Sequence, residues 1–227
     1  MKIIVTCGPS YEPIDGARRM TNMSTGKLGV TLANALTDAG HDVICLKGEG
    51  STHPGNVRAA RMGTFATNDD LAQLLETISR LEHVDAVFHA AALCDYRVEQ
   101  VLGAAGETMT SAKFATRDGR LQLVLAPAMK VLPKMRTWFA DARIVGWKYE
   151  LAGSRDDALA KAWKQLRDCH TEACVLNGAA YGEGFALCEG KGRVQTLPDS
   201  PALCEAIVEW LRHPARAAAV SSTLPSA

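Results

Sequence analysis

The sequence has no excess of charge of either sign. Its 227 residues include 25 Lys and Arg and 25 Asp and Glu, so the formal net charge at pH 7 is zero. A domain that binds nucleic acid by bulk electrostatic attraction needs a basic surplus, because it must neutralise phosphates and release their counterions. We therefore expect no nucleic-acid partner of that kind, while a local basic pocket stays open.

The sequence also has no long apolar run. No window approaches the roughly 20 apolar residues that a membrane-spanning helix needs. The first residues, MKIIVTCG, continue directly into a predicted strand and lack the layout of a signal peptide. We expect a cytoplasmic protein without a membrane partner.

Cysteine and histidine spacings typical of metal sites are missing. The 7 cysteines include no pair separated by two residues, and the 6 histidines show no H-x-x-x-H spacing. We predict free, buried cysteines in a reducing compartment, and no metal held by protein ligands. His89 lies in an apolar run, which predicts a buried and hydrogen-bonded core residue.

Apolar runs rich in β-branched residues alternate with segments of helical periodicity. Strands are predicted at residues 2–7, 41–47, 58–62, 84–92, 142–148 and 171–177, and helices at 26–39, 68–81 with Asn68 as N-cap, 127–139, 154–168 and 200–212. This alternation indicates βαβ units. The sequence therefore predicts an α/β fold with a doubly wound, Rossmann-like and mostly parallel sheet.

Two hairpins and a tail complete the predicted organisation. Gly119 separates the runs 111–117 and 120–126, which predicts a hairpin arm at about 108–125, and a small hairpin is predicted around 189–192. We expect one nucleotide-binding domain over residues 1–213. Residues 214–227 are rich in Ala and Ser and are expected to form a flexible tail.

The segment that follows the first strand is the first place to look for a ligand site, because parallel sheets bind ligands at the carboxyl ends of their strands. Gly26 and Gly29 stand at the predicted helix start, where free N–H groups favour an anion. A Walker A loop does not fit, because Thr21 and Leu28 stand where Gly and Ser or Thr are needed. A dinucleotide fingerprint fits only in part, since Ser24 replaces its first glycine.

Five segments in order resemble one known family. They are GPSYEPIDGARRMTNMSTGKLG (8–29), HAAALCDYR (89–97), SAKF (111–114), VGWKYE (145–150) and VLNG (175–178). Together they resemble the phosphopantothenoylcysteine synthetase family, in its freestanding form. The resemblance implies a ligase that joins 4'-phosphopantothenate to L-cysteine in coenzyme A biosynthesis. CTP or ATP, with Mg²⁺, would activate the acid as an acyl-nucleotide that the cysteine amine attacks.

The resemblance also implies site residues. Asn22 would stabilise the oxyanion at the acyl centre, and Lys113 would neutralise phosphate charge as diphosphate leaves. A turn-stabilising Asn and an exposed hairpin Lys are the alternatives. The implied nucleotide- and substrate-binding residues are Gly8, Ser10, Ser24, Gly26, Lys27, Ala91, Ala92, Asp95, Trp147 and Asn177. The hairpin arm would mediate a homodimer.

Some positions depart from the family pattern. Ala128 stands where many relatives carry Asp, and Gln165 and Cys169 stand where a pair of lysines is usual. These changes leave open the choice between CTP and ATP, and whether the substrate has changed.

Two other functions remain alternatives on the same fold. One is an NAD(P)-dependent reductase, although none of the tyrosines is followed four residues later by the Lys of a Tyr-x-x-x-Lys motif. The other is a non-catalytic nucleotide-binding relative. Fold alone does not choose among them.

Overall fold

The computed structural model describes residues 1–213, so the predicted tail at 214–227 lies outside the described residues. Twelve strands and five α-helices are numbered in chain order. The strands are β1 Lys2–Cys7, β2 Tyr11–Pro13, β3 Arg19–Thr21, β4 Asp42–Gly48, β5 Arg61–Phe65, β6 Ala86–His89, β7 Tyr96–Leu102, β8 Gln122–Pro127, β9 Arg143–Tyr149, β10 Ala173–Gly178, β11 Gly182–Glu189 and β12 Arg193–Leu197. The helices are α1 Lys27–Asp38, α2 Asn68–Leu81, α3 Leu132–Trp138, α4 Arg155–Cys169 and α5 Ser200–Arg212.

Eight strands form one sheet in the order β12-β11-β10-β9-β6-β1-β4-β5. The six strands from β10 to β5 in this order pair in parallel, and β11 and β12 add antiparallel pairs at one edge. From β1 the chain builds outward through β4 and β5, then returns to β6 and builds in the other direction. The predicted doubly wound α/β fold is confirmed, with its switch point between β1 and β6.

Side-chain alternation along the strands separates two cores. Ile3, Val5 and Cys7 of β1 belong to the cluster that contains buried residues of α1 and α5. Ile4 of β1 belongs to the cluster built with α2 and α3. Helix α4 packs on β10 and β11 and contacts α3, so it lies on the α2 and α3 side. Helices therefore cover both faces, as buried parallel strands require.

Within the hairpin arm, β8 pairs with a different strand from the predicted one. β8 pairs antiparallel with β7, from Tyr96 opposite Pro127 to Leu102 opposite Gln122. Residues 111–117 form no strand; the chain there runs into the 3₁₀ turn Thr116–Asp118. The prediction of a turn at Gly119 between two strands was wrong, because the paired strands are separated by a long excursion.

Several element boundaries also differ. Pro127 ends β8 instead of opening a helix; α3 begins at Leu132, with a proline in its first turn. Asn68 is not the N-cap of α2, since Thr67 caps it in a capping box with Asp70. Strand β5 begins three residues later than predicted, β6 is shorter than predicted, and the short strands β2 and β3 were not predicted.

The predictions that the cysteines are free and buried and that His89 is a buried, hydrogen-bonded residue are confirmed. All seven cysteines are free and buried. His89 is buried, and its Nδ1 lies 2.7 Å from Thr6 Oγ1. Burial lowers the pKa of His89 to about 4, because a charged imidazole loses its hydration there.

His89 predicts a pH dependence of stability. Between pH 6.5 and 4 the unfolded chain binds a proton at His89 that the native protein does not, so stability falls as pH decreases through this window. The loss reaches about 3 kcal/mol. We expect His89→Gln to flatten the decrease in the free energy of unfolding between pH 7.5 and 4, measured by urea denaturation. Equal pH slopes in the two proteins would contradict this assignment.

Candidate active site

The candidate site lies where β1 and β6 end, at the switch point of the sheet. Backbone pairing continues past both strands: the Ala90 N–H donates to Thr6 O at 3.0 Å, and the Ala92 N–H donates to Gly8 O at 2.9 Å. The Ser10 N–H then donates to Ala92 O at 3.2 Å. The loop that follows β1, called the first loop, and the loop that follows β6, called the second loop, are therefore joined side by side along the crevice.

Two glycines shape the part of this crevice beside α1. Gly8 and Gly26 have φ of 78° and 79°, a left-handed conformation that favours glycine. A Cβ at Gly8 would lie 1.9 Å from Ser51 Oγ, and a Cβ at Gly26 would lie 2.8 Å from it. The loops after β1 and β4 and the start of α1 therefore approach too closely for larger residues.

The start of α1 is suited to an anion. Gly26 is its N-cap and offers no side-chain cap, so the first-turn N–H groups are not capped by that residue. Lys27 is exposed there, and Ser24 is half-buried in the preceding turn. The Ser51 hydroxyl is buried and has no hydrogen-bond partner among the described residues. Its position against the glycines had no signal in the sequence.

Asn22 links the two loops. Its side-chain amide donates to Ala92 O and to Leu93 O, at 3.0 Å each. Both neighbours are carbonyl oxygens, so the NH₂ group and not the amide oxygen must face them. Its two donors are therefore engaged within the protein, and donation to an oxyanion requires the release of one of these bonds.

Ser10, one of the predicted binding residues, lies in a buried hydrogen-bond network. It is fully buried, and its hydroxyl donates to Asn68 Oδ1 at 2.7 Å and accepts from the Cys94 N–H at 2.8 Å. Asn68 in turn donates to Cys94 O and Met129 O, at 2.9 Å each. A satisfied internal network of this kind holds the loop after β6 in place. The partner of Ser10 lies 58 residues away, which no local pattern indicates.

The loop after β6 carries three of the predicted residues: Ala91, Ala92 and Asp95. The Ala92 N–H and carbonyl are both engaged by the first loop, while Ala91 is half-buried. Asp95 is 75% exposed at the end of this loop and forms an ion pair with Lys130. Asp95 therefore remains accessible, with a cation beside it.

Lys113 is exposed on a segment that is docked onto the first loop. The Gly16 N–H donates to Ala112 O at 2.8 Å, and Arg18 Nη2 donates to Phe114 O at 2.8 Å. The residues on both sides of Lys113 are thus held by the loop that leads to Asn22. The structure brings these two sequence-predicted segments together.

Trp147 and Asn177 lie at the carboxyl ends of β9 and β10. Trp147 pairs in register with Val175 and packs against the core that contains residues of α1. Asn177, two residues beyond Val175, shares that face of the sheet. The Trp147 Nε1 group is buried without a hydrogen-bond partner in the described part of the chain. Both residues are therefore on the side of the sheet where Gly26 begins α1.

The positions that depart from the family pattern are packed within the fold. Gln165 donates to Cys174 Sγ at 3.3 Å, and Cys169 is buried at the end of α4. Ala128 is buried, and its N–H donates to Asp95 O at 2.9 Å. In this protein Gln165 and Cys169 serve the packing of α4 on the sheet.

Within residues 1–213 no cluster of three or more His, Cys, Asp or Glu side chains is arranged to hold a metal ion. None of the helices described there is long and apolar enough to cross a membrane.

The chain is similar to the coenzyme A biosynthesis bifunctional protein CoaBC of Thermococcus kodakarensis, with 27% identity over 201 residues. The match covers 87% of this chain and 47% of that protein, so the chain spans about half the length of this relative.

Two solved structures share the fold. The DNA/pantothenate metabolism flavoprotein from Streptococcus pneumoniae superposes with a TM-score of 0.83 and 21% identity, covering 93% of this chain and 98% of that one. The Cab2 H337A variant in complex with phosphopantothenate-cysteine superposes with a TM-score of 0.71 and 19% identity, covering 93% and 85%.

The family model of the DNA/pantothenate metabolism flavoprotein C-terminal domain matches residues 1–199. With the match extending from β1 to the start of α5, the chain belongs to this family.

Proposed function

We propose that this chain is a phosphopantothenate–cysteine ligase, which joins 4'-phosphopantothenate to L-cysteine through an acyl-nucleotide in coenzyme A biosynthesis. Family membership supports the proposal, as do the name of the CoaBC relative and the Cab2 complex with phosphopantothenate-cysteine. Residues 1–213 would act as one nucleotide-binding ligase domain. We place the protein in the cytoplasm, with no nucleic-acid or membrane partner.

The observation that carries this proposal is the division of the crevice by the sheet. On the α1 side, Gly8, Gly26 and Lys27 offer a close backbone approach, helix N–H groups and a cation, which suit a triphosphate. On the α2 side, the loop that follows β6 carries Ala91, which packs toward the α2 and α3 core, and Asp95, which is exposed beside Lys130. Two substrates bound on these sides would meet at Asn22, between the loops.

This arrangement suits nucleotide activation of a carboxylate. A carboxylate oxygen attacks the α-phosphorus, the bond to the β-phosphate oxygen breaks, and diphosphate leaves. The cysteine amine then attacks the acyl carbon, nucleoside monophosphate leaves with the bonding electron pair, and the amine loses a proton as the amide forms. Positioning and fixed electrostatics carry such transfers, so the joined loops must hold both reactants in register.

Two side chains would act on the reacting atoms. Lys113 would offset the charge of the departing diphosphate from its docked segment. Asn22 would donate to the acyl oxyanion after giving up one of its two carbonyl contacts. Trp147 and Asn177 would contact the nucleotide from β9 and β10. The Trp147 N–H, which has no hydrogen-bond partner within residues 1–213, would act as a donor.

Mg²⁺ fits this site as an ion bound mainly by the nucleotide. The nearby carboxylate, Asp95, is paired with Lys130, and the described residues form no acidic cluster. An ion carried by phosphate oxygens and water needs few protein ligands. When bound, it would neutralise part of the triphosphate charge. CTP and ATP are both proposed as cosubstrates.

The first test is the reaction itself. We expect diphosphate release only when 4'-phosphopantothenate, Mg²⁺ and CTP or ATP are all present. The cysteine adduct should form only when cysteine is also added. Mass spectrometry detects the adduct. Hydride transfer from NADH or NADPH in place of ligation would favour a reductase. No turnover with either nucleotide would contradict the proposed function.

Removing the Asn22 amide should slow the reaction. Asn22→Ala deletes a candidate oxyanion donor, so we expect kcat to fall by about 100-fold, or about 3 kcal/mol in the activation barrier. The free energy of unfolding should fall by about 1 to 2 kcal/mol, because two hydrogen bonds between the loops are lost, and the protein should stay folded. The nucleotide Kd should change little. Urea denaturation and calorimetry measure the two quantities. Turnover equal to that of the unmodified protein would remove Asn22 from the mechanism.

Lys113 should act chiefly on diphosphate release. Lys113→Ala is expected to lower kcat by roughly 10- to 100-fold, because a fixed positive charge is lost where negative charge develops. Lys164→Ala is the matched control, since Lys164 is exposed on α4 and pairs with Asp168. Equal turnover in the two variants would contradict a catalytic role for Lys113.

We also propose a homodimer formed through the β7–β8 arm. Cross-strand neighbours on one face of the arm are Tyr96 with Pro127, Val98 with Leu125 and Val101 with Leu123. Of these, Tyr96, Leu123 and Leu125 are 53%, 39% and 42% exposed. A two-stranded ribbon with an exposed apolar face gains stability when a second surface covers it.

A charge on that face should separate the protomers. We expect the unmodified protein to sediment as a dimer, and Leu125→Glu to shift it to a monomer, because the glutamate would lose its hydration in the interface. Leu81→Glu is the control, since Leu81 is 74% exposed at the end of α2. A monomeric unmodified protein, or a dimeric Leu125→Glu variant, would overturn the proposal.

A further inference from the structure

We propose that Asp15 is a positioning residue that holds Lys113 in place for catalysis. The inference rests on the proposed function, because it assigns Asp15 a role through Lys113. Asp15 lies in the first loop, and Lys113 lies far along the chain in the excursion between β7 and β8.

One carboxylate connects these two segments. Asp15 Oδ1 accepts from the Ala17 and Arg18 N–H groups at 2.8 Å each, which forms the turn of the first loop. Asp15 Oδ2 accepts from Arg18 Nη1 at 2.7 Å and from the Phe114 N–H at 3.2 Å. The last bond joins residues that are 99 positions apart in the sequence. Oδ1 therefore stabilises the turn of the first loop, and Oδ2 binds the segment that contains Lys113 and Phe114 to that loop.

The backbone around Lys113 fits against the same loop. The Gly16 N–H donates to Ala112 O, and a Cβ at Gly16 would lie 2.8 Å from that oxygen, so the contact requires glycine. Phe114 is only 3% exposed, whereas Lys113 between these anchors is exposed. A flexible lysine is therefore presented from a backbone that is fixed on both sides.

The electrostatics of Asp15 suit this role. Burial alone would raise its pKa, but hydrogen bonds from the Ala17, Phe114 and Arg18 N–H groups, with the Arg18 guanidinium, hold the pKa below its usual range. The carboxylate therefore stays ionised at neutral pH and accepts all four bonds.

The same loop continues into β3 and then Asn22, which contacts the loop after β6. Asp15 therefore sets where Lys113 stands relative to the crevice. A displacement of about 1 Å in a group that acts on the reacting atoms can cost about 100-fold in rate.

Asp15→Asn separates positioning from folding of the loop. The amide oxygen can still accept from the Ala17 and Arg18 N–H groups. Its NH₂ group would then face the Phe114 N–H and Arg18 Nη1, donor against donor. The turn is kept while the bond from the Phe114 N–H is lost. The bonds from the Gly16 N–H to Ala112 O and from Arg18 Nη2 to Phe114 O still hold the segment in part. Gly16→Ala is a second variant, since its added methyl group displaces Ala112 and leaves Asp15 intact.

The experiment is a double-mutant cycle on turnover. We expect Asp15→Asn and Gly16→Ala each to lower kcat by roughly 10- to 100-fold, with a change in nucleotide KM below about 3-fold. In the Lys113→Ala background, Asp15→Asn should cost less than about 3-fold more. Asp157→Asn is the matched control, because Asp157 caps α4 by accepting from the Ser154 N–H. It should lower stability without changing turnover.

Amide hydrogen exchange in the absence of substrates gives a readout that is independent of activity. Asp15→Asn should speed exchange in residues 111–118 and leave the core strands unchanged. The positioning role would be overturned by an unchanged exchange rate or an unchanged kcat in Asp15→Asn. It would also be overturned if Asp15→Asn lowered kcat by the full factor in the Lys113→Ala background. If the unmodified protein fails to ligate, the proposed function fails, and the exchange measurement still decides whether Asp15 fixes this segment.

Discussion

The pairing of the β1 and β6 loops is the constraint on which the rest of the site depends. Their parallel strands are neighbours, and the connections that follow them run to opposite faces of the sheet. The backbone bonds between Gly8, Ser10 and Ala92 prolong this pairing beyond the strands. Main-chain groups that pair in this way cannot bind a ligand. A ligand would therefore be bound by the start of α1 and by the side chains around the joined loops. Glycine is required at position 8 because its φ is left-handed and because a Cβ there would lie 1.9 Å from Ser51 Oγ.

Strand alternation explains why the crevice has two chemically different sides. Residues on one face of β1, β9 and β10 belong to the same core as α1 and α5, and Trp147 packs against this core. Asn177 shares that face of β10. The other face meets α2, where Ser10, Asn68 and Cys94 form a buried network beneath the second loop. An anion is favoured on the first side by N–H groups, whereas the second side is a rigid support. A reaction between a nucleotide and an acid needs both, since the triphosphate charge must be bound and the reacting atoms of the two molecules must be held in register.

The sequence predicted the central sheet well, because strands buried on both faces must be apolar throughout and their connections must be helical. It predicted the arm poorly. β7 carries polar residues such as Arg97, Glu99 and Gln100, and its partner β8 begins only after a long excursion, so neither apolar content nor a short turn marked the pair. The burial of Ser10 had no sequence signal for a related reason: its orientation depends on Asn68, which is distant in sequence. The catalytic roles of Asn22 and Lys113 were predicted from the family resemblance alone. The contacts that hold these residues join segments distant in sequence and had no sequence signal.

The ion pairs of the lysines indicate which of these side chains could neutralise a bound triphosphate. Lys130 pairs with Asp95, Lys148 and Lys161 both pair with Glu150, and Lys164 pairs with Asp168. A neighbouring carboxylate offsets the field of each of these cations at a distance of several ångströms. Lys27 and Lys113 form no ion pair among the described residues, and both are exposed at segments that border the crevice. Gln165 and Cys169 in α4 stand where the family usually has lysines. Under the proposed function, phosphate binding would therefore rely on the start of α1 and on the position in which the first loop holds Lys113.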